Sequence, residues 1–178
     1  MVPKAFIQYL VHFHGDRDYF ECHEVLEEYW KDVDPGNKDS IWVGFIQLAV
    51  SSYHYRRGNL PGALKTHNKS AMILTNQEQS CIDLGIDYHE LMKLLIERKS
   101  RLVSNQPYKS MNLPINNQKL LEQCLKVCAK QNLIWGQASN TDNQNLVNKH
   151  SLRDRSDVIL EREIALKDRQ NKKGSDFL

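Results

Sequence analysis

The sequence has 178 residues; 26% are charged, 40% are hydrophobic, and the formal net charge is +2. This balance favours neither nucleic acid nor an anionic membrane surface as a partner. No apolar run is long enough to span a bilayer, and residues 1–10 lack a signal-peptide pattern, so we expect a cytoplasmic protein. Eleven of the fifteen aromatic residues lie before residue 56, which predicts that the first third of the chain builds most of the core.

Apolar residues recur at helical spacing along almost the whole chain, and no segment has the alternating pattern of a strand. Capping and helix-breaking residues predict six helices, at about residues 5–14, 19–33, 40–57, 61–79, 87–102 and 118–130. The predicted fold class is all-α. We expect a compact multihelical bundle of about five to six antiparallel helices, with a C-terminal charged helix in addition.

Changes in composition divide the chain into four predicted parts. Residues 1–135 form the helical bundle domain, and residues 136–150 are a polar linker rich in Asn, Gln and Ser. A capping-box pattern at Ser151 begins a charged amphipathic helix over residues 151–173, which is either solvated or docked on the bundle or on another chain. Residues 174–178 are expected to be a disordered tail.

The four cysteines are scattered and have no disulfide or metal-binding spacing. Cys124 and Cys128 share one helical face, where we expect small core residues rather than half of a metal site. Arg56 and Arg57 are expected to be ordinary surface charges. Five histidines have no companion at ligand spacing and are expected to face solvent: His12, His14, His67, His89 and His150.

The second predicted helix carries the densest set of functional groups, in the segment FECHEVLEEYW. On a helical wheel, His23 and Glu27 fall beside Trp30 at the border of the apolar stripe. They therefore form an i, i+4 pair that can hydrogen-bond while partly buried. Glu24 points more towards solvent.

The third predicted helix is apolar around most of its circumference. Its polar strip consists of Gly44, Gln47, Ser51 and His54. Buried amide and imidazole groups need hydrogen-bond partners, and the nearest along the chain are His23 and Glu27. Gly44 would let helices two and three approach closely. We therefore predict a polar pocket formed by His23, Glu24, Glu27, Trp30, Gln47, Ser51, His54 and Arg57.

Three interpretations of this pocket stay open. The first is a satisfied hydrogen-bond network that fixes the register of the helices. The second is a ligand or catalytic site, because a carboxylate near two imidazoles can perform acid–base chemistry. The third is a metal site with His23, Glu27 and His54 as candidate ligands, although HExxE lacks the second histidine of the HExxH motif. No cofactor is predicted.

An ordered set of motifs resembles a known family: YFECHEVLEEYW at residues 19–30, GFIQLA at 44–49, His54, Gly58-Asn59 and Gly62-Ala63. The resemblance is to domain-of-unknown-function family 309, and it covers about residues 12–75. The family hallmark is an H-E-x-x-E-x-x-W helix, matched by His23, Glu24, Glu27 and Trp30. The resemblance implies a small, cytosolic, multihelical protein and supplies no reaction. Cys22 stands where the family has a small residue such as alanine, which implies core packing.

Two functions are compatible with these patterns. The first is a non-enzymatic interaction or assembly module with a buried His/Glu/Gln polar cluster, whose partner is another protein or a second copy of the chain. The alternative is a small-molecule or metal-dependent enzyme that uses His23, Glu27 and His54. The sequence identifies no substrate, partner or oligomeric state.

Overall fold

The structure, a computed structural model, describes residues 2–152 of the chain. The charged helix predicted over residues 151–173 lies almost wholly outside the described residues, as does the tail predicted over residues 174–178. By its contacts the chain divides into two compact units, Met1–Val147 and Asn148–Leu178. The second unit is described only for residues 148–152, and the architecture below is that of the first.

The described residues form an all-α fold. The helices of the first unit are α1 (Lys4–His14), α2 (Tyr19–Val33), α3 (Ile41–Arg56), α4 (Leu60–Thr75), α5 (Glu78–Asp83), α6 (Tyr88–Val103), α7 (Gln118–Lys130) and α8 (Gln144–Val147). In the second unit, α9 spans Lys149–Leu152. Residues 2–152 contain no strand beyond an isolated antiparallel bridge between Ile86 and Ile115. Over the same residues, no helix is long and apolar enough to cross a membrane.

The helix predicted over residues 61–79 is divided in the structure. Helix α4 ends at Thr75 and α5 begins at Glu78, because Gln77 adopts a non-helical conformation (φ −121°, ψ 35°). The Gln77 side chain donates a hydrogen bond to the carbonyl of Asp39 (3.1 Å), which ties this turn to the loop before α3. After the turn, Cys81 is fully buried in the core. After the break, α5 therefore turns Cys81 towards the core.

Aromatic side chains from α1, the start of α2 and α3 form the centre of the core. Phe6, Tyr9, Phe13 and Phe45 are fully buried, and the Phe6 and Phe45 ring centroids are 5.0 Å apart. The Tyr9 hydroxyl donates to the carbonyl of Phe45 at 3.0 Å, so its one polar group is satisfied. Cys22, Cys124 and Cys128 are also buried and free, which confirms their expected role as core residues.

Helices α3 and α4 form the most extensive helix pair, and two serines fix their register. The Ser51 hydroxyl donates to the carbonyl of Ala63 (2.9 Å), and the Ser70 hydroxyl donates to the carbonyl of Gly44 (2.8 Å). Gly44 lies against Leu74 of α4. The close approach that we expected at Gly44 between helices two and three is therefore an approach between α3 and α4.

We expect Gly44→Ala to lower the free energy of unfolding by about 2 kcal/mol. An added Cβ would lie 2.7 Å from Leu74 Cδ2 and 2.9 Å from Leu74 Cγ, and Leu74 is fully buried. This overpacking exceeds the gain of about 1 kcal/mol that alanine has over glycine within a helix. Chemical denaturation of Gly44→Ala, Leu74→Ala and the double variant measures the effect. Since shortening Leu74 removes the clash, the double variant should lose less than the sum; additive losses would contradict this contact.

Several side chains expected at the surface are buried. Arg56 is 7% exposed, and its guanidinium donates to the carbonyl of Arg17 (2.7 Å) and to the Ser139 hydroxyl (2.9 Å). His14 and His67 are each 1% exposed, so the expectation that they face solvent was wrong. A helical wheel missed these residues because their surroundings come from parts of the chain that are remote in sequence.

The segment predicted as a polar linker makes specific contacts with the bundle up to Val147. The Gln137 side chain donates to the carbonyl of Gly15, and the carbonyl of Gln137 accepts from Arg17 Nε at 2.7 Å. Further along, the carbonyl of Leu146 accepts from Arg56 Nη2 at 3.0 Å. Residues 136–147 thus belong to the first unit, although their composition is that of a linker.

Candidate functional site

Helix α2 holds the functional side chains at the border of its buried face. The helix begins after Asp18, whose carboxylate accepts a hydrogen bond from the Glu21 amide at 3.0 Å, as is usual for an N-cap. Cys22 and Leu26 are fully buried beneath the helix. His23 and Glu27 each follow one of these core residues, so they emerge at the edge of the packed face.

The His23 imidazole lies between two carboxylates. Its Nδ1 is 3.0 Å from Glu24 Oε1, and its Nε2 is 3.1 Å from Glu27 Oε2. The other oxygen of Glu27 is 3.0 Å from Lys31 Nζ. The side chains of His23, Glu24 and Glu27 are 30–34% exposed, so the cluster is half-buried and accessible to solvent.

A cavity of about 230 Å³ opens beside this pair. It is lined by His23, Glu27 and Trp30 of α2, by Lys38 of the following loop, by Val43, Ile46 and Gln47 of α3, and by Lys69 of α4. Trp30 Nε1 donates to the carbonyl of Asn37 at 3.0 Å, which holds the loop that carries Lys38. The cavity therefore combines an apolar floor, an aromatic wall, an acid–base pair and two ammonium groups.

The matching family model carries the description "Domain of unknown function (DUF309)" and covers residues 6–66. A relative, the "Uncharacterized protein YpuF" of Bacillus subtilis (strain 168), is 49% identical over 163 residues, which are 92% of this chain and 94% of the relative. The chain belongs to the DUF309 family. No solved structure matches it.

The DUF309 model ends before Lys69, so it covers every residue of the cavity lining except that one.

Four of the predicted pocket residues line this cavity of the DUF309 chain: His23, Glu27, Trp30 and Gln47. Glu24 is not in the lining, but it contacts His23 directly. The other three predicted residues, Ser51, His54 and Arg57, do not line the cavity and lie further along α3 or just beyond it.

Each of these three side chains makes another contact. Ser51 is fully buried and donates to the carbonyl of Ala63, His54 Nδ1 lies 3.1 Å from Asn59 Nδ2, and the exposed Arg57 lies over the Tyr53 ring at 5.3 Å. The seven steps from Gln47 to His54 extend about 10 Å along a helix axis, which carries the end of the strip away from the cavity.

Sequence reasoning missed Lys38, Lys69 and the apolar floor. Lys69 reaches the cavity because the register of α4 against α3 is set by the two serine hydrogen bonds, and a pattern within one helix does not contain that register. For Lys38, the sequence offered only a weak indication that it is near the site: it lies shortly after Trp30, the tryptophan of the family motif. Ile46 belongs to the apolar surface predicted for the third helix, and Val43 was not singled out; nothing in the sequence distinguished a cavity floor from closed packing.

Among the described residues, His23, Glu24 and Glu27 form a group that could hold a metal ion, since one ligand atom from each lies within 4.8 Å of the others. His54, a predicted ligand, is not part of this group. Both nitrogens of His23 already contact carboxylates, so an ion bound to the imidazole would have to displace one of these contacts. His23 and the two carboxylates thus already form a closed set of contacts, which a bound ion would rearrange.

Proposed function

We propose that this DUF309 protein is a non-enzymatic interaction module, and that the cavity between α2 and α3 anchors its partner. The observation that carries the proposal is an open cavity with the His23–Glu27 pair on its wall. Its volume of about 230 Å³ is below the range of about 300–1,000 Å³ typical of small-molecule sites. A volume of this size suits one large anchoring side chain of a protein partner.

The lining indicates the chemistry of that anchor. Trp30, Val43 and Ile46 offer apolar surface, and the Gln47 amide can both donate and accept a hydrogen bond. Lys38 and Lys69 are exposed lysines on the lining, where they favour an acidic residue in the partner. We therefore expect the bound segment to place a large apolar side chain beside an Asp or Glu.

A second copy of the chain is one candidate partner, as expected from the sequence for an assembly module. Light scattering on the full chain over a range of concentrations distinguishes self-association from binding to another protein. We propose a cytoplasmic setting for this module, which the four free, buried cysteines support because reduced thiols are typical of that compartment.

Peptides selected on the full chain from a random displayed library test the proposal. We expect them to share an apolar and an acidic residue, and to bind Lys69→Glu at least ten-fold more weakly, because the substitution reverses a charge at the cavity. Gln47→Trp, which fills the cavity, should abolish binding.

The matched control for the peptide experiment is Lys65→Glu. Lys65 is an exposed lysine one turn earlier on α4 that does not line the cavity, so this variant should bind the peptides within about two-fold of wild type. Failure to select any peptide, or equal binding by wild type, Lys69→Glu and Gln47→Trp, would refute the anchor cavity.

The alternative function, a metal-dependent enzyme, is favoured by the compact His23–Glu24–Glu27 group. Titration of the full chain with Zn²⁺ tests it. Saturable binding that is lost in His23→Gln and retained in His54→Gln would support this alternative, with Glu24 in the place that the sequence assigned to His54. Binding that is absent or unchanged in His23→Gln would leave the interaction module as the sole proposal.

A further inference from the structure

Three arginines of the first unit are buried without a carboxylate partner. Arg17, Arg56 and Arg98 are 1%, 7% and 4% exposed, and none of the ion pairs among residues 2–152 includes an arginine. Instead, their guanidinium groups contact backbone carbonyls, neutral side chains and aromatic rings; Arg56 lies 4.9 Å from the Tyr19 ring centroid and Arg98 lies 4.8 Å from that of Tyr55. Within residues 2–152, these three guanidinium groups therefore make no direct ion pair with a carboxylate.

A second cavity, of about 250 Å³, opens beside this charged region between α6 and the segment that follows it. It is lined by Leu94, Glu97, Arg98, Arg101, Lys109, Ser110, Met111 and Asn112. Three of these residues are cationic and one is acidic. Arg17 adds charge directly behind the wall, because it donates to the carbonyl of Met111 (2.8 Å) and to Asn112 Oδ1 (2.6 Å).

Among the described residues, two arginines of this lining have a donor without an acceptor. Arg98 uses Nη1 on the carbonyl of Lys109 (2.6 Å) and Nη2 on the Ser52 hydroxyl (3.1 Å), whereas its buried Nε has no hydrogen-bond partner. Arg101 uses Nη2 on the carbonyl of Pro107 (2.9 Å), and its Nε likewise has no partner. Buried N–H groups are nearly always paired, so two residues of the cavity lining, on consecutive turns of α6, have hydrogen-bonding capacity that the described residues leave unused.

We propose that this second cavity binds phosphate, either as the free ion or as the phosphate group of a small molecule. Phosphate offers several acceptor oxygens and carries the charge opposite to that of the three cationic residues of the lining, and arginine binds it in a planar, bidentate manner. The Ser110 hydroxyl and the Asn112 amide are neutral groups of the same lining, and both can donate. The Glu97 carboxylate would repel an anion. Removing its charge should therefore strengthen binding if the ligand is an anion.

Calorimetric titration of the full chain with inorganic phosphate, at constant ionic strength in chloride, measures the binding. We expect saturable binding of one phosphate per chain. Arg101→Gln and Lys109→Gln should each weaken it at least about five-fold, and Glu97→Gln should tighten it about two- to five-fold. These substitutions leave Arg98 in place, because Arg98 joins α3, α6 and the following segment.

The control variant is Lys99→Gln, which removes a charge from the same helix at an exposed residue outside the lining. It should change the dissociation constant less than two-fold, and the free energy of unfolding of every variant is measured without phosphate to verify folding. Absence of saturable binding of either phosphate or ribose 5-phosphate overturns the proposal, as does equal weakening by Lys99→Gln and Lys109→Gln. Tighter binding of ribose 5-phosphate than of phosphate supports a phosphorylated small molecule as ligand; equal binding, with ribose alone inert, supports the free ion.

Discussion

Replacing Arg17 with alanine is expected to lower the free energy of unfolding by about 4 kcal/mol. The guanidinium donates to the carbonyls of Phe13 (2.7 Å), Met111 (2.8 Å) and Gln137 (2.7 Å) and to Asn112 Oδ1 (2.6 Å). One side chain thus joins the end of α1 to two segments that lie about a hundred residues later in the chain. Alanine would leave these acceptors without donors inside the protein and would also open a cavity, and both effects are costly.

Urea denaturation of the full chain measures this loss. The control is Arg57→Ala, because Arg57 is exposed and its guanidinium lies over the Tyr53 ring, so its replacement should cost no more than about 0.5 kcal/mol. Arg17→Lys should fall between the two, since lysine keeps the charge but not the planar donor geometry. A loss below about 1 kcal/mol in Arg17→Ala would show that the four hydrogen bonds do not hold these segments together.

The stability of the protein is expected to fall as the pH drops, because His14 is buried as a neutral ring. Its Nδ1 donates to the carbonyl of Leu10 (2.9 Å), and its Nε2 accepts from the Leu113 amide (2.8 Å). The ring also stacks on Trp135, with centroids 4.2 Å apart. Burial lowers the pKa of His14 from 6.5 to about 4, and a proton on Nε2 would face the Leu113 N–H.

The sign of the pH effect follows from the direction of this shift. Between pH 6.5 and 4 the unfolded chain binds a proton at His14 that the folded chain does not bind. The stabilisation is therefore complete above pH 6.5 and is lost as the pH falls towards 4, at a cost of about 3 kcal/mol from this residue. Burial likewise lowers the pKa of His67 to about 4, so His67 adds to the loss in the same range.

Nuclear magnetic resonance of the imidazole nitrogens, combined with urea denaturation between pH 7.5 and 4, tests this expectation. His14 should stay neutral and protonated on Nδ1 down to about pH 5. His12 is an internal comparison: burial lowers its pKa, but the hydrogen bond that its Nδ1 donates to Asp16 Oδ2 (3.0 Å) and the charge of that carboxylate outweigh burial and leave the pKa raised. If His14 became charged at the same pH as His12, the proposed origin of acid sensitivity would be wrong.

The parts of the fold that depend on neighbouring residues could be predicted. Helices α2 and α7 have the predicted bounds, and Asp18 and Asp87 cap α2 and α6 through hydrogen bonds to amides three residues later. The pairing of His23 with Glu27 also follows from local spacing, since residues four apart lie on one helical face. Caps and i, i+4 pairs depend only on residues within about one helical turn of each other, so they can be predicted from the sequence.

The composition of the candidate site depended on more than local spacing. The sequence placed Gln47 and His54 on one strip, and only the crossing of α2 over α3 decided that Gln47 lines the cavity whereas His54 contacts Asn59. Lys69 entered the lining through the register between α3 and α4. A polar strip runs along the whole of a helix, whereas a neighbouring helix that crosses it contacts only part of the strip. Periodicity therefore identifies the strip but not which of its residues the neighbouring helix contacts.

By itself, the sequence determined an all-α class, the main helices, the family and the pairing of His23 with Glu27 on α2, because each is encoded in adjacent turns or in an ordered motif. Only the tertiary structure decided which polar groups are buried. The side chains of Arg17, Arg56 and His14 form hydrogen bonds with groups in residues 111–146. From composition alone, such polar side chains would be expected to lie in water. Burial of a charge requires partners from several segments at once, and the folded packing of those segments supplies them.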